Sequence, residues 1–135
     1  MATFRIRQAA ELLGVSDDTV RRWADSGRLA TTVDEGGRRA VEGATLARFA
    51  EALAAESPTN PNPRIVGQSA RNRFTGLVTK VTRDAVMAQV EIQAGPFRVV
   101  SLMSREAADE LELAPGVLAV AAVKSTNVMV EIPDN

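Results

Sequence analysis

Apolar side chains at Ile6, Ala9, Ala10 and Leu13 fall at i, i+3, i+4 and i+7, the spacing of one face of a two-turn helix. Gly14 follows, a residue able to take the positive φ of a helix end. Val15 can plug the corner beyond it. Ser16 is a good N-cap, and Asp17 and Asp18 lie in the next first turn, where carboxylates favour the helix dipole. The pattern predicts a second helix over about Asp17 to Ser26 that buries Val20, Trp23 and Ala24. Asp18, Thr19, Arg21 and Arg22 are left facing out, and Gly27 ends the element. Leu29 to Val33 and Arg38 to Val41 read as two short strands around Asp34-Glu35-Gly36-Gly37. Leu46, Phe49, Ala50 and Leu53 then mark the core face of a third helix, from about Ala44 to Glu56.

The patterning stops at Ser57-Pro58-Thr59-Asn60-Pro61-Asn62-Pro63-Arg64, which carries three of the six prolines and no other apolar side chain. Such a stretch is expected to be extended, spanning on the order of 25 Å. Residues 57–67 are therefore read as a linker between a domain at 1–56 and another at 68–135. Beyond it the period shortens towards two. Phe74 to Thr82 alternates imperfectly, and Val86 to Ile92 more clearly. Arg98 to Met103 and Val117 to Val123 are β-branched runs, and Val128 to Ile132 closes the set. Gly95-Pro96 and Pro115-Gly116 are turn pairs. Ser104 can cap a short helix from Arg105 to about Leu111. The expected class is α+β: a mainly helical N-terminal winged helix-turn-helix, then a five-stranded β-barrel of the oligonucleotide/oligosaccharide-binding type with one short helix.

Composition changes this picture in three ways. Within 135 residues two such domains have thin cores, resting on Val, Leu, Ile and Ala because there are one Trp, four Phe and no Tyr. Contacts between copies are expected to supplement them, giving a homodimer or higher homo-oligomer through residues 68–135. The absence of Cys and His removes thiolate nucleophiles, His-dependent triads and the usual transition-metal ligands. With no Walker-type loop either, neither an enzyme nor a cation cofactor is expected. The formal net charge of −1 means that any contact with DNA must come from locally clustered cations, repeated in two or more readers per assembly. No run approaches the roughly 20 apolar residues of a membrane span, so the expectation is a cytoplasmic protein without a membrane partner.

The first candidate chemistry lies in the helical segment. Two helices joined by a Gly-Val-Ser turn, with Thr and paired Arg outward on the second, have the layout of a unit whose second helix enters a major groove. Ser16, Thr19, Arg21 and Arg22 would meet DNA there. Arg38 and Arg39, just past the hairpin tip, would contact phosphate or the minor groove. Ala9-Ala10-Glu11-Leu12-Leu13-Gly14-Val15-Ser16, Thr19-Val20-Arg21-Arg22-Trp23, Gly27-Arg28-Leu29 and Gly36-Gly37-Arg38-Arg39 resemble the winged helix-turn-helix of MerR-type and excisionase-type DNA-binding domains. Ala40 stands where an aromatic often follows the wing arginines, which implies looser packing beneath the wing.

The second lies at the two ends of the β-rich segment. Ser69, Arg71, Asn72, Lys124 and Ser125 gather cations and donors that suit a small doubly charged oxyanion, whose oxygens only accept hydrogen bonds. Ser101 and Ser104, near the end of the third strand, could complete the shell from the same or a neighbouring subunit. Gln68-Ser69-Ala70-Arg71-Asn72-Arg73-Phe74-Thr75-Gly76, Val78-Thr79-Lys80-Val81 and Val123-Lys124-Ser125-Thr126-Asn127-Val128-Met129-Val130 resemble the molbindin domain, a branch of the transport-associated oligonucleotide/oligosaccharide-binding (TOBE) domains. The resemblance implies binding of molybdate or tungstate by Ser69, Ala70, Arg71, Asn72, Ser101, Ser104, Lys124 and Ser125, in oligomers whose sites lie between subunits. The same domain type is the sensor half of ModE-type regulators. A DNA-binding, molybdate- or tungstate-sensing transcriptional regulator is thus the leading expectation. The rivals are an oxyanion storage protein and an excisionase-like DNA-binding protein whose barrel serves only for assembly.

Overall fold

The computed structural model describes residues 2–56, 67 and 69–134. The stretch read as a linker, residues 57–67, lies outside the described residues except for Gly67. The chain divides into two compact units, Met1–Thr59 and Asn60–Asn135.

The N-terminal unit runs β1 (Thr3–Arg5), α1 (Ile6–Leu13), α2 (Asp17–Asp25), β2 (Thr32–Val33), β3 (Arg39–Glu42) and α3 (Gly43–Glu56). At the end of α1, Gly14 has φ +72° and Val15 donates back to the Ala10 carbonyl at 3.0 Å, turning the chain sharply into α2. The Ser16 hydroxyl accepts the Thr19 N–H at 3.2 Å, the N-cap the sequence predicts. Ala9, Ala10, Val20, Leu29, Val41 and Leu46 form the core, with Phe4, Ile6, Leu13, Val15, Trp23 and Phe49 packed around it.

Two expectations change here. Leu29 does not begin a strand: its N–H donates to the Trp23 carbonyl at 3.0 Å and its side chain is 1% exposed, so it plugs the core behind α2. The strand starts only at Thr32. β1 was not anticipated at all, because three residues are too few to show a period. It pairs antiparallel with β3 (Phe4 opposite Val41), while β2 pairs with the other edge of β3 (Thr32 opposite Ala40). Ala40, 1% exposed, is buried on this central strand.

The C-terminal unit contains β4 (Asn72–Arg83), β5 (Met87–Ala94), β6 (Phe97–Ser104), α4 (Arg105–Glu110) and β7 (Leu118–Val123), followed by a 3-10 turn at Ser125–Asn127. The strands form one antiparallel sheet in the order β6-β5-β4-β7. It curls into a half-barrel over Val78, Ala88, Val90, Ile92, Ala108 and Leu113. Gly76 permits the tightest point of that curl: a Cβ there would lie 2.3 Å from the Gln93 carbonyl oxygen. In the β4–β5 turn, the Asp84 carboxylate accepts the N–H groups of Met87 (2.7 Å) and Val86 (2.8 Å). Those two bonds hold its pKa below the ordinary aspartate value, Met87 contributing most. The Ser104 hydroxyl caps α4 by accepting the Ala107 N–H at 3.1 Å.

The fifth strand is not formed. Val128–Ile132 pairs with no strand, and Val128, Met129, Val130 and Ile132 are 47, 88, 85 and 87% exposed. The barrel therefore has four strands within one chain. The physical reason is that this segment's alternation specifies a strand but not a partner. β6 and β7, the two free edges, face each other across an apolar hollow of about 400 Å³ lined by residues such as Val99, Met103, Leu113 and Ala121.

Candidate functional sites

In the N-terminal unit, α2 presents Asp18, Arg21 and Arg22 on its exposed face, because Val20 points inward and fixes the helix rotation. Thr19, half-buried, lies between the Ser16 hydroxyl (2.9 Å) and the Arg22 guanidinium, which donates to it at 3.2 Å. Ser16, Thr19 and Arg22 thus form one hydrogen-bonded run along the start of α2. Arg21 instead pairs with Asp18 at 3.1 Å.

The hairpin tip is organised by Asp34. Its carboxylate accepts the N–H groups of Gly36 and Arg38, both at 2.9 Å, while Gly37 N–H donates to its carbonyl at 3.0 Å. An Asp whose side chain closes a turn over two glycines is a signal the sequence carried. Arg38 and Arg39 project from this turn and are exposed. Arg39 donates to Asp25 at 2.9 Å, tying the wing to the C-terminus of α2. Arg38 has no carboxylate partner among the described residues. Of the four arginines assigned to DNA, Arg22 and Arg38 are thus unencumbered by acids, whereas Arg21 and Arg39 are paired.

Trp23 does not serve as a stacking platform for a ligand. Its ring packs 5.1 Å from Phe49, and the Arg28 guanidinium lies 5.6 Å from one ring and 5.7 Å from the other while pairing with Glu56. Arg28 therefore staples α2 to α3.

In the C-terminal unit, the β4–β7 ladder ends with Asn72 opposite Val123. The next residues beyond this last rung are Arg71 on one side and Lys124 on the other, so the ladder brings together two stretches separated by about fifty residues. Ala70 is buried, whereas Ser69, Arg71, Lys124 and Ser125 are exposed. Neither Arg71 nor Lys124 has a carboxylate partner among the described residues. Glu91 pairs with Arg98, whose Nε lies 2.7 Å away. After Lys124 the chain tightens at once, with Asn127 N–H donating to the Lys124 carbonyl at 2.9 Å.

Asn72 is engaged differently from its neighbours: its side-chain amide donates to the Val123 carbonyl at 3.2 Å. Ser101 lines the apolar hollow together with Val123, one residue from Lys124. Ser104 does not join the others within one chain, since it caps α4 beside a separate hollow with Arg105, Glu106 and Asp109. Among the described residues no group of three or more His, Cys, Asp or Glu could hold a metal ion, and no helix is long and apolar enough to cross a membrane.

A small helix-turn-helix unit bearing a wing, followed by an antiparallel half-barrel whose Arg71 and Lys124 have no carboxylate partner among the described residues, defines a two-part class of protein. Residues 3–54 match the helix-turn-helix domain family and residues 68–130 the TOBE domain family, one in each unit. Similar solved structures cover the second unit. A molybdate-binding protein from Sporomusa ovata is 25% identical over 50% of this chain and 100% of its own, with a TM-score of 0.48. MopII from Clostridium pasteurianum is 34% identical over 49% of this chain and 100% of its own, at a TM-score of 0.46. The cytoplasmic molybdate-binding protein ModG is 34% identical over 56% of this chain, at 0.47; the present chain spans about half (52%) of ModG. No curated protein matches the chain.

Proposed function

We propose that the protein is a cytoplasmic transcriptional regulator whose TOBE unit binds molybdate or tungstate and whose helix-turn-helix unit binds DNA. The observation that carries the sensor half is that Arg71 and Lys124 are the next residues beyond the last rung of the β4–β7 ladder. Neither has a carboxylate partner among the described residues, and hydroxyl residues lie near in sequence, Ser69 on one side and Ser125 with Thr126 on the other. Two such cations at one ladder end favour a dianion, and charge-assisted bonds to its oxygens are about twice as strong as neutral ones. Ser69, the Ala70 backbone, Arg71, Lys124 and Ser125 would hold it, with Ser101 contributed from the same or a partner chain and Ser104 from a partner chain. No catalytic step is assigned.

The assembly is read as a homodimer, or a higher oligomer built from dimers. Four apolar side chains of Val128–Ile132 stand in solvent while an apolar hollow between β6 and β7 lacks a strand. Burying each such side chain gains roughly 1.5–3 kcal/mol. The same segment from a second copy would close the barrel, and a dimer would carry the two DNA readers that a net charge of −1 requires. Ligand bound between subunits can then alter DNA affinity, but only by as much as it binds the two arrangements differently.

The test is calorimetric titration of the intact chain with molybdate, tungstate, sulfate and phosphate, followed by operator selection with and without the tighter ion. Saturable binding of molybdate or tungstate and salt-dependent retention of DNA are the expected results. Oxyanion binding with no retention of DNA at low salt would instead favour storage.

A further inference from the structure

We infer that Asn72 is a positioning residue of the oxyanion site, acting through the Lys124 turn, and not one of the groups that touch the ligand; this rests on the oxyanion reading above. Three observations carry it. The Asn72 side-chain amide donates to the Val123 carbonyl at 3.2 Å, across 51 residues of sequence. Asn72 and Val123 are also the last rung of the β4–β7 ladder, so this is the final bond that holds the two strands together before the cations. The carbonyl it holds belongs to the residue immediately before Lys124, and the next two carbonyls are already engaged inside the turn, by Asn127 N–H at 2.9 Å and Val128 N–H at 3.3 Å.

The site has a mechanical difficulty that this bond answers. Without a ligand, Arg71 and Lys124 are like charges just beyond a strand end, where ladders fray first. Repulsion between them would push Val123 and Lys124 away from β4. A donor on the β4 side, gripping the carbonyl just inside the cations, keeps both halves in register before the ion arrives. The binding groups then need no ordering at the moment of capture. A side chain already donating along the ladder is directed at the backbone of β7 and is occupied by that task. Neither a hydroxyl nor a carboxylate would do the same: the first is too short, and the second cannot donate.

Asn72→Ala and Asn72→Leu separate positioning from contact, the leucine keeping the side chain's bulk while removing the donor. Molybdate titration of the intact variants is expected to show about a tenfold loss of affinity, the factor equivalent to one hydrogen bond of ordinary strength. Without ligand, amide hydrogen exchange over residues 124–128 is expected to accelerate severalfold, with exchange in β5 and β6 unchanged. A ligand-contacting role predicts the affinity loss with no change in ligand-free exchange, and that result overturns the inference. So does wild-type affinity in the leucine variant. If the wild-type chain binds none of the four ions at millimolar concentration, the oxyanion reading fails and the positioning role fails with it; binding by the wild type isolates failure of the positioning role alone.

Discussion

The two units bury their apolar side chains to very different degrees. Among the described residues of the N-terminal unit only Leu12 and Val33 are exposed large hydrophobics, and the core around Val20, Leu29 and Val41 is closed by the chain's own three helices and short sheet. In the C-terminal unit the exposed set includes Leu77, Phe97, Val100, Leu102, Leu118 and the whole Val128–Ile132 tail. Both are built from fewer than eighty residues, so size alone does not account for the contrast. A helical unit with local contacts completes itself. A half-barrel of four strands leaves apolar surface in solvent.

The contrast can be broken most severely at the cations. Replacing Arg71 and Lys124 together with Ala is expected to abolish molybdate binding, at least a hundredfold in calorimetry, because two charge-assisted partners are lost at once. The melting temperature should hold or rise as their mutual repulsion disappears; retained affinity would move the site elsewhere. Next in size is truncation after Asn127. Sedimentation should then find monomers, and the C-terminal unit should lose most of its stability while the helical unit melts as before. A truncated chain that still sediments as a dimer would mean that another face holds the copies together.

A finer test lies within the helical unit. Arg22→Ala and Arg38→Ala, at the arginines without acid partners, are each expected to weaken DNA binding and lower the slope of log affinity against log salt by about one. Arg21→Ala and Arg39→Ala should do less, since Asp18 and Asp25 already neutralise those side chains. Equal effects at all four would show that the pairs dissolve on DNA. The smallest effect belongs to Asp84. Its folded pKa is depressed, so its contribution to stability is present above the unfolded aspartate pKa and is lost as pH falls through the lower folded value. Acid melts of Asp84→Asn should therefore show less loss of stability than wild type below about pH 4.

The helical unit was legible because its signals are local. The i, i+3, i+4, i+7 face, Gly14 and the Ser16 cap all act within one or two turns, and each appears where the sequence indicates. Leu29 misled because a β-branched run follows it, whereas its place is set by a backbone bond to Trp23. In the second unit the strand pattern of Val128–Ile132 was readable but its partner was not, since pairing is decided by geometry far along the sequence. The candidate site divides the same way. Residue types marked Ser69, Arg71, Lys124 and Ser125, yet only the β4–β7 register brings their two stretches to the same ladder end. That register also separates Asn72, which grips a carbonyl, from the residues beside it.

One consequence follows from the packing of Trp23 against Phe49 and beneath Arg28. It is the only tryptophan, and the chain has no tyrosine. Near-ultraviolet emission excited at the indole band therefore reports on the helix-turn-helix half alone, with a guanidinium poised over the fluorophore, while the half-barrel stays dark. Intrinsic fluorescence can follow unfolding of one half without a dye, and a change in emission on adding an oxyanion would register communication between the halves directly.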